Sequence, residues 1–395
     1  MAKKVIGILT GGGDVPGLNS VIKSVVYGAV SLGDYEVVGI RRGWAGLTQA
    51  NLDQGFDDQY MVRLDRQNTR RIDRFGGTFL HTSRTKPSRM PIDDVPEHVK
   101  MKLGSCKEVQ SGIFDMTPIV KENLDRLGVD HLLTIGGDDT LSYSKVLSGE
   151  GFSVVAVPKT MDNDVRDTEY CIGFSTALTR AVDEIKRMRT TMGSHERVGI
   201  FRIFGRDAGF TALYTAYVTS SRCCIPEHQF DLQKLTDLLL SDKRSNPSNY
   251  SLVVLSEGAT WVGREVEEMG PPDAYGHRKK VSVAETFSDQ LRQVTGEETV
   301  VCDLTYQLRS GDPDFLDRMI ATTFATMALE CIVEGIDGKM MAIQKGCYCV
   351  TDIPDPSLGP REVDVKTMYN TERYRPNYSK KNGLPVFLTR LTSDN

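Results

Sequence analysis

Two short polar stretches hold the residue types best suited to chemistry in this chain. Residues 136–140 (Gly-Gly-Asp-Asp-Thr) follow the apolar run 132–135, and residues 158–164 (Pro-Lys-Thr-Met-Asp-Asn-Asp) follow the apolar run 154–157. Glycines let the backbone approach an anion closely and offer N–H groups to it. Carboxylates suit Mg²⁺ that bridges to phosphates, and a carboxylate can also take a proton from a hydroxyl nucleophile. Together these residues predict a phosphate and metal site.

Both polar stretches belong to one predicted strand–helix–strand unit. The runs 132–135 and 154–157 are short and uninterrupted, as buried parallel strands are, and a helical stretch lies between them. In open α/β sheets, ligands bind outside the carboxyl ends of the strands, which is where both stretches lie. Either stretch alone is more often an ordinary turn or helix entry. Four carboxylates and a lysine at two successive strand ends are harder to explain in that way.

Two other loops combine glycine with a position between a strand and a helix. Residues 10–17 (Thr-Gly-Gly-Gly-Asp-Val-Pro-Gly) follow the predicted strand 4–9, and residues 204–209 (Phe-Gly-Arg-Asp-Ala-Gly) follow the predicted strand 198–203. Loop amides and the N-terminus of the following helix both favour negative charge. Each loop is therefore a candidate anion cradle, although a tight turn is the simpler explanation of a glycine loop taken alone.

Length and composition exclude several classes of protein. The chain has 395 residues, of which 39% are hydrophobic and 26% charged, so two or three ordinary globular domains are expected. The net charge is −5 and no basic run occurs, which argues against nucleic acid as a partner. No apolar stretch approaches the length of a membrane span, so we expect a cytoplasmic protein with no membrane partner. None of the eight cysteines forms a C-x-x-C pair, and no zinc or redox dithiol site is expected.

The stretches 136–140 and 158–164 resemble the paired active-site motifs of the phosphofructokinase family. The residues Asp139 and Lys159 resemble its pyrophosphate-dependent branch, because ATP-using relatives generally have glycine at both positions. The resemblance covers roughly residues 3–335. Further similar stretches are residues 10–17, 41–47, 76–84, 197, 204–206, 256–259 and 306–309.

The resemblance implies an α/β fold with two Rossmann-like, three-layer domains, mainly parallel sheets and an active site in the cleft between them. The recurrence of strand–loop–helix units favours the same fold class. Residues 1–173 together with about 308–350 are expected to form the domain that binds pyrophosphate and Mg²⁺. Residues 174–307 are expected to form the fructose 6-phosphate domain, and residues 351–395 a C-terminal tail that packs on the surface.

The reaction implied by the resemblance is the reversible transfer of a phosphoryl group from pyrophosphate to the 1-hydroxyl of fructose 6-phosphate. Mg²⁺ is the implied cofactor, with Asp138 as its ligand, and a homodimer or homotetramer is the implied assembly. The implied catalytic residues are Asp162 as proton acceptor, Thr160, Lys159 and Arg206. Those implied for the donor phosphates are Gly11, Gly12, Arg84, Gly137, Asp139, Thr140 and Lys159. Those implied for the sugar phosphate are Thr160, Asp162, Asp164, Arg197, Phe204, Gly205, Arg206, Glu257, Tyr306 and Arg309.

Two of these residues and one further position bear on how closely the chain follows the family. Arg197 matches a residue that reaches the sugar phosphate from a neighbouring subunit in the family. Phe204 stands where the family has methionine. Val300 stands where many members have another phosphate-binding arginine, so that contact is absent or supplied from elsewhere.

Three alternatives are open, and a fourth fits poorly. An ATP-dependent phosphofructokinase is the nearest. A lipid or nicotinamide-nucleotide kinase would share the first stretch but lack residues 159–164 and the set Arg197, Glu257 and Arg309. A non-catalytic regulatory subunit would be expected to lose the proton acceptor, yet Asp162 is present. A dinucleotide oxidoreductase fits poorly, because residues 11–13 are not part of a G-x-G-x-x-G loop.

Overall fold

Two sheets form the framework of the structure, a computed structural model that describes residues 3–53, 55–264, 268–271 and 279–377. The strands of the two sheets are, in chain order, β1 (Lys4–Thr10), β2 (Tyr35–Ile40), β3 (Met61–Leu64), β4 (His131–Gly136), β5 (Val154–Pro158), β6 (Val198–Ile203), β7 (Arg222–Cys224), β8 (Ser251–Ser256), β9 (Thr299–Leu304), β10 (Lys339–Gln344) and β11 (Cys347–Asp352). The long helices are α1 (Leu18–Leu32), α2 (Thr117–Arg126), α3 (Asp138–Gly149), α4 (Phe174–His195), α5 (Phe210–Thr219), α6 (Leu232–Ser245), α7 (Val283–Thr295) and α8 (Phe315–Glu334).

The first sheet has the strand order β11-β10-β5-β4-β1-β2-β3. The five strands from β10 to β2 are parallel, and the edge strands β3 and β11 are antiparallel to their neighbours. In the central register, Ile8 pairs with Leu133, which pairs with Val155. These strands are apolar along most of their length because both of their faces are covered.

Helices cover the first sheet on both faces. Ile6 and Ile8 of β1 point to the face covered by α1, where they pack in one core with Val25. Leu9 points to the opposite face and packs in a second core with Leu124 of α2. Since successive side chains of a strand alternate between the two faces, this separation shows a three-layer arrangement of helix, sheet and helix.

The second sheet is smaller and wholly parallel, with the order β7-β8-β6-β9. The chain enters it through α4 and returns through α8 to the first sheet, where β10 and β11 are added at the edge. The α/β fold with mainly parallel sheets agrees with the prediction from sequence. Residues 353–377 pack against both sheets, and the part of the predicted tail from 378 onward lies outside the described residues.

Several shorter helices and strands lie outside the two main sheets and the long helices. They are the helices Trp44–Gln49, Glu97–Lys100, Tyr306–Arg309 and Val365–Met368, a small antiparallel sheet of Met90–Pro91, Ile113–Asp115 and Lys107–Gln110, and the strand pairs Glu268–Met269 with Lys279–Lys280 and Tyr369–Asn370 with Arg375–Pro376. Among the described residues, no helix combines the length and the apolar character needed to cross a bilayer.

A buried carboxylate ties α8 to the segment where the chain passes from the first sheet to the second. Asp317 is fully buried, and each of its oxygens accepts two hydrogen bonds. Oδ1 accepts from the Tyr170 hydroxyl at 2.6 Å and from the Gly173 amide at 2.8 Å. Oδ2 accepts from the amide and the hydroxyl of Thr176. The carboxylate therefore satisfies four donors that have no access to water.

Replacing Asp317 by asparagine should lower the free energy of unfolding by about 2–5 kcal/mol, because an amide NH₂ would face two of these buried donors. Denaturant unfolding of the purified variant measures this loss. The matched control is Asp312→Asn, which removes an exposed ion pair with Arg318 and should cost no more than about 1 kcal/mol. Equal stabilities of the two variants would contradict the proposed importance of the Asp317 network.

Candidate active site

The carboxyl ends of strands from both sheets meet at one cleft of about 500 Å³. The loops after β1, β4 and β5 line it from the first sheet, and the loops after β6 and β8 line it from the second. The predicted site residues that line this cleft are Gly12, Arg84, Gly137, Asp138, Asp139, Thr140, Lys159, Thr160, Asp162, Asp164, Phe204, Arg206, Glu257 and Arg309.

Four of the predicted site residues do not line the cleft. Gly11 lies just before it and donates its amide to the Ile135 carbonyl at 3.0 Å. Gly205 supports the loop after β6 with a left-handed backbone, φ 127°. Tyr306 is 70% exposed, with its ring 4.7 Å from the Arg309 guanidinium. Arg197 lies at the amino end of β6, opposite the cleft.

The first polar stretch is held in place by the side chain of Thr140. A Cβ atom at Gly136 would lie 2.2 Å from Thr140 Cβ, and one at Gly11 would lie 2.4 Å from Thr140 Oγ1. Only glycine therefore allows the loop after β1 and the loop after β4 to close around this threonine. Asp138 and Asp139 then form the first turn of α3, where the helix dipole favours negative charge.

Lys159 joins the glycine loop after β1 to the loop after β5. Its side chain is buried, and its Nζ donates a hydrogen bond of 2.5 Å to the Gly13 carbonyl. Burial lowers the pKa of Lys159 to about 8, opposed by the nearby carboxylate of Asp14 and, more weakly, by that of Asp139. At neutral pH the ammonium is thus largely retained in a place poor in water, where an anionic ligand would stabilise it.

Several carboxylates crowd the centre of the cleft. Burial raises the pKa of Asp162 well above its usual value, and the negative charges of Asp164 and Glu257 raise it further, against the opposing amide and charge of Arg206. Burial, followed by the charge of Asp164, raises the pKa of Asp138 to about 7. Each carboxylate makes its neighbours easier to protonate. The cluster therefore favours binding of a proton or a cation.

The donor set fits Mg²⁺ in the way that phosphate-handling sites use it. Mg²⁺ is usually bound through one or two carboxylates together with substrate phosphates and water. Asp138 offers one carboxylate, and Asp164 lies close enough to raise its pKa. The described part of the chain contains no group of three or more His, Cys, Asp or Glu side chains placed to hold a metal ion by themselves.

The loops after β6 and β8 touch so closely that only glycine fits between them. A Cβ atom at Gly258 would lie 1.8 Å from the Arg206 carbonyl oxygen. Glu257, the preceding residue, lies 3.4 Å from the Arg202 guanidinium, which is also paired with Asp303 at 2.7 Å. This contact brings Arg206 and Glu257 to the same wall of the cleft, with Glu257 anchored by a buried cation.

Sequence reasoning missed some of the lining residues. Asp14 and Asp207 lie in loops that were identified, within two residues of the predicted Gly12 and Arg206, so their position was a usable signal. Lys86 follows the predicted Arg84 by two residues. Residues 354–356, 359 and 360 also line the cleft, and no periodicity or motif connects them to it.

A two-sheet cleft lined by glycine loops, carboxylates and buried cations is suited to binding phosphates and transferring a phosphoryl group. The family pattern described as phosphofructokinase matches residues 5–332. The chain is 33% identical over 372 residues to the pyrophosphate–fructose 6-phosphate 1-phosphotransferase of Amycolatopsis methanolica, covering 93% of this chain and 97% of the relative. It is 34% identical to the ATP-dependent 6-phosphofructokinase 3 of Streptomyces coelicolor, covering 92% of this chain and 96% of the relative. The chain belongs to the phosphofructokinase family.

Solved structures show the same fold. The crystal structure of the pyrophosphate-dependent phosphofructokinase from Marinobacter aquaeolei matches with a TM-score of 0.72 and 16% identity, over 98% of this chain and 95% of that chain. The structure of phosphofructokinase from Saccharomyces cerevisiae matches with a TM-score of 0.71 and 22% identity, over 89% of this chain and 45% of that chain. At these identities the likeness concerns the fold, and it confirms the predicted fold class.

Proposed function

We propose that the protein reversibly transfers a phosphoryl group from pyrophosphate to the 1-hydroxyl of fructose 6-phosphate, giving fructose 1,6-bisphosphate and phosphate. Relatives named for pyrophosphate and for ATP are about equally similar to this chain, so the donor has to be inferred from the site. The observation that carries the choice is that Asp139 and Lys159 both line the cleft.

The side chains of Asp139 and Lys159 both favour pyrophosphate over ATP as the donor. Glycine at both positions would leave the backbone open for the α-phosphate and ribose of a nucleotide. The Asp139 carboxylate adds bulk and a negative charge that would face a phosphate, an unfavourable contact of roughly 1–4 kcal/mol. Lys159 supplies a compact positive charge for a terminal phosphate, which matters more for pyrophosphate because it has no nucleoside to bind. The alternative is an ATP-dependent enzyme with two ordinary loop substitutions. It does not explain why the two substitutions lie in adjacent loops, or why both favour pyrophosphate over ATP.

In the proposed reaction, the carboxylate of Asp162 takes the proton of the 1-hydroxyl as its oxygen attacks the terminal phosphorus, and the bond to the leaving phosphate breaks. A raised pKa makes Asp162 a better base near neutral pH than an ordinary aspartate. Arg206, Lys159 and Thr160 are proposed to stabilise the moving phosphoryl group. Gly11 and Gly12 would let the loop after β1 approach it closely, while their amides donate to the Ile135 and Ser83 carbonyls. Asp138, with Asp164 nearby, would hold Mg²⁺, which neutralises charge on the pyrophosphate when bound.

The remaining site residues are proposed to orient the substrates. Glu257, anchored by Arg202, would accept hydrogen bonds from the sugar hydroxyls. Arg309 would bind the 6-phosphate. Arg84 would face the donor, and Phe204 would pack against the sugar.

The donor assignment predicts a gain of function. Asp139→Gly should raise kcat/KM for ATP by about tenfold or more. The variant removes a repulsion of roughly 1–4 kcal/mol, and about 1.4 kcal/mol already corresponds to a factor of ten. Steady-state assays with ATP as donor measure it. The matched control is Asp355→Gly, another carboxylate that lines the cleft. An equal gain in both variants would show that the effect is general charge reduction and would count against the proposed function of Asp139.

Arg197 makes a separate prediction about assembly. The residue lies at the end of β6 away from its own cleft and pairs with Glu298 at 2.7 Å. If it binds sugar phosphate, it does so in the site of another copy of the chain, and the active form is at least a dimer. Inactive Arg197→Ala and Asp162→Asn chains, mixed and allowed to exchange, should then regenerate activity. Absence of complementation in chains shown to have exchanged would exclude a shared site.

A further inference from the structure

Residues 353–363, called the C-terminal strap, lie beside the loop that carries the proposed base. The strap follows β11 and begins beyond the region matched by the family pattern, which ends at residue 332. Its residues 354–356, 359 and 360 line the cleft. The next residue, Arg361, is half-buried and directs its guanidinium at the loop after β5.

Arg361 binds the backbone between the two central carboxylates. Its Nε and Nη2 atoms donate to the Asn163 carbonyl at 3.2 and 2.6 Å, and its own amide donates to the Asp164 carbonyl at 2.6 Å. The guanidinium also stacks on the ring of Phe210, 4.2 Å from the ring centroid. Nη2 also donates a longer hydrogen bond of 3.5 Å to the Glu169 carbonyl, so four hydrogen bonds and one stacking contact converge on one arginine.

The bound peptide has a left-handed conformation. Asn163 has φ 54°, a region that asparagine adopts more readily than most other residues with a side chain. It is buried, and its side chain is engaged with the Glu169 carbonyl and the Cys171 amide at 3.0 and 2.8 Å. Removal of the Arg361 guanidinium would deprive the Asn163 carbonyl of two hydrogen-bond donors, the Nε and Nη2 atoms.

The strap is also anchored on the second sheet. Glu227 Oε1 accepts from the Val363 amide at 2.8 Å and from the Gly209 amide at 2.9 Å. Gly209 ends the loop after β6 that carries Arg206. Arg166 donates to the Gly359 carbonyl at 2.7 Å. The strap therefore connects the loops of both sheets that meet in the cleft.

We propose that Arg361 is a positioning residue, which holds the Asn163 peptide so that the carboxylates on either side, Asp162 and Asp164, point into the cleft. The inference rests on the proposed function, because it assumes that Asp162 is the proton acceptor. It adds a residue from outside the family pattern to the machinery of the reaction. Arg361 itself contacts the loop and not the reacting atoms.

The test is Arg361→Ala, assayed with the donor that the wild-type protein uses. We expect kcat to fall by about 10–100-fold, since a base displaced by about 1 Å loses that much, while both KM values stay within about threefold. Guanidinium chloride at millimolar concentrations should restore part of kcat by filling the vacated space. The matched control, Arg375→Ala, removes an arginine of the same C-terminal region that pairs with Asp242 at 3.1 Å, and should leave kcat unchanged.

A folded Arg361→Ala variant with wild-type kcat would overturn the proposal, as would a loss of kcat that guanidinium leaves untouched. If that variant does not fold, Arg361→Lys decides. Lysine keeps the charge but cannot place two N–H groups on one carbonyl, so a lowered kcat at unchanged KM supports the proposal and a wild-type kcat overturns it. The donor used in this test is the one that the wild-type protein accepts. An error in the assignment of pyrophosphate would therefore appear in the wild-type assay, and it would not affect the comparison of Arg361 variants with the wild type.

Discussion

Replacing Asp162 by asparagine is expected to lower kcat by about 10²–10⁴ with the fold intact. Asparagine has nearly the same shape but cannot take a proton from the 1-hydroxyl. The kcat of the reverse reaction should fall by a similar factor, because the same carboxyl group must then return the proton to the sugar oxygen. The KM for fructose 6-phosphate should change far less than kcat. Steady-state rates in both directions, with circular dichroism as the check on folding, measure the effect.

The matched control for this variant is Asp207→Asn. Asp207 lines the same cleft, and nothing in the proposed mechanism moves a proton to it. Its kcat should therefore stay within about tenfold of wild type. Near-normal kcat in Asp162→Asn, or an equal loss in the two variants, would show that Asp162 is not the base.

Replacing Lys159 by methionine should raise the KM for pyrophosphate by about 10–100-fold. A hydrogen bond to a charged group contributes about 1.5–3 kcal/mol, and each 1.4 kcal/mol corresponds to a factor of ten in affinity. Methionine keeps most of the buried volume, so the loss reports the charge and the bond to the Gly13 carbonyl. Initial rates over a range of pyrophosphate concentrations measure it.

The control for Lys159 is Lys145→Met, an exposed lysine on α3 of the same strand–helix–strand unit. It should leave the KM for pyrophosphate unchanged. A normal KM in Lys159→Met would mean that the donor phosphates bind elsewhere, and would remove one of the two residues on which the choice of donor depends.

The strands around the site could be predicted because the signals are local. The runs 132–135 and 154–157 are apolar without interruption, and a loop after a parallel strand must lie at the carboxyl edge of its sheet. The order of the strands could not be predicted. The neighbours of β4 are β1 and β5, and β10 joins β5 from far along the chain. Such pairings depend on packing between distant segments, which no local pattern records.

In the site, too, some features follow from local sequence signals and others depend on contacts between distant segments. Gly136 and Gly137 were interpreted as allowing a close approach of the backbone to an anion, whereas the structure places the Thr140 side chain in the space that Gly136 leaves. The strap gave no signal, because Arg361 binds backbone carbonyls and the sequence does not show which peptide presents them. Tyr306 fitted the expected spacing, yet the structure leaves it exposed beside Arg309.

The central claim concerns the phosphoryl donor, and one measurement tests it most directly. Purified wild-type protein is given fructose 6-phosphate and Mg²⁺ with either pyrophosphate or ATP, and the formation of fructose 1,6-bisphosphate is followed. The same protein is then given fructose 1,6-bisphosphate and phosphate, and the formation of pyrophosphate is followed. We predict efficient turnover with pyrophosphate in both directions and poor turnover with ATP. Efficient turnover with ATP and none with pyrophosphate would contradict the proposed function.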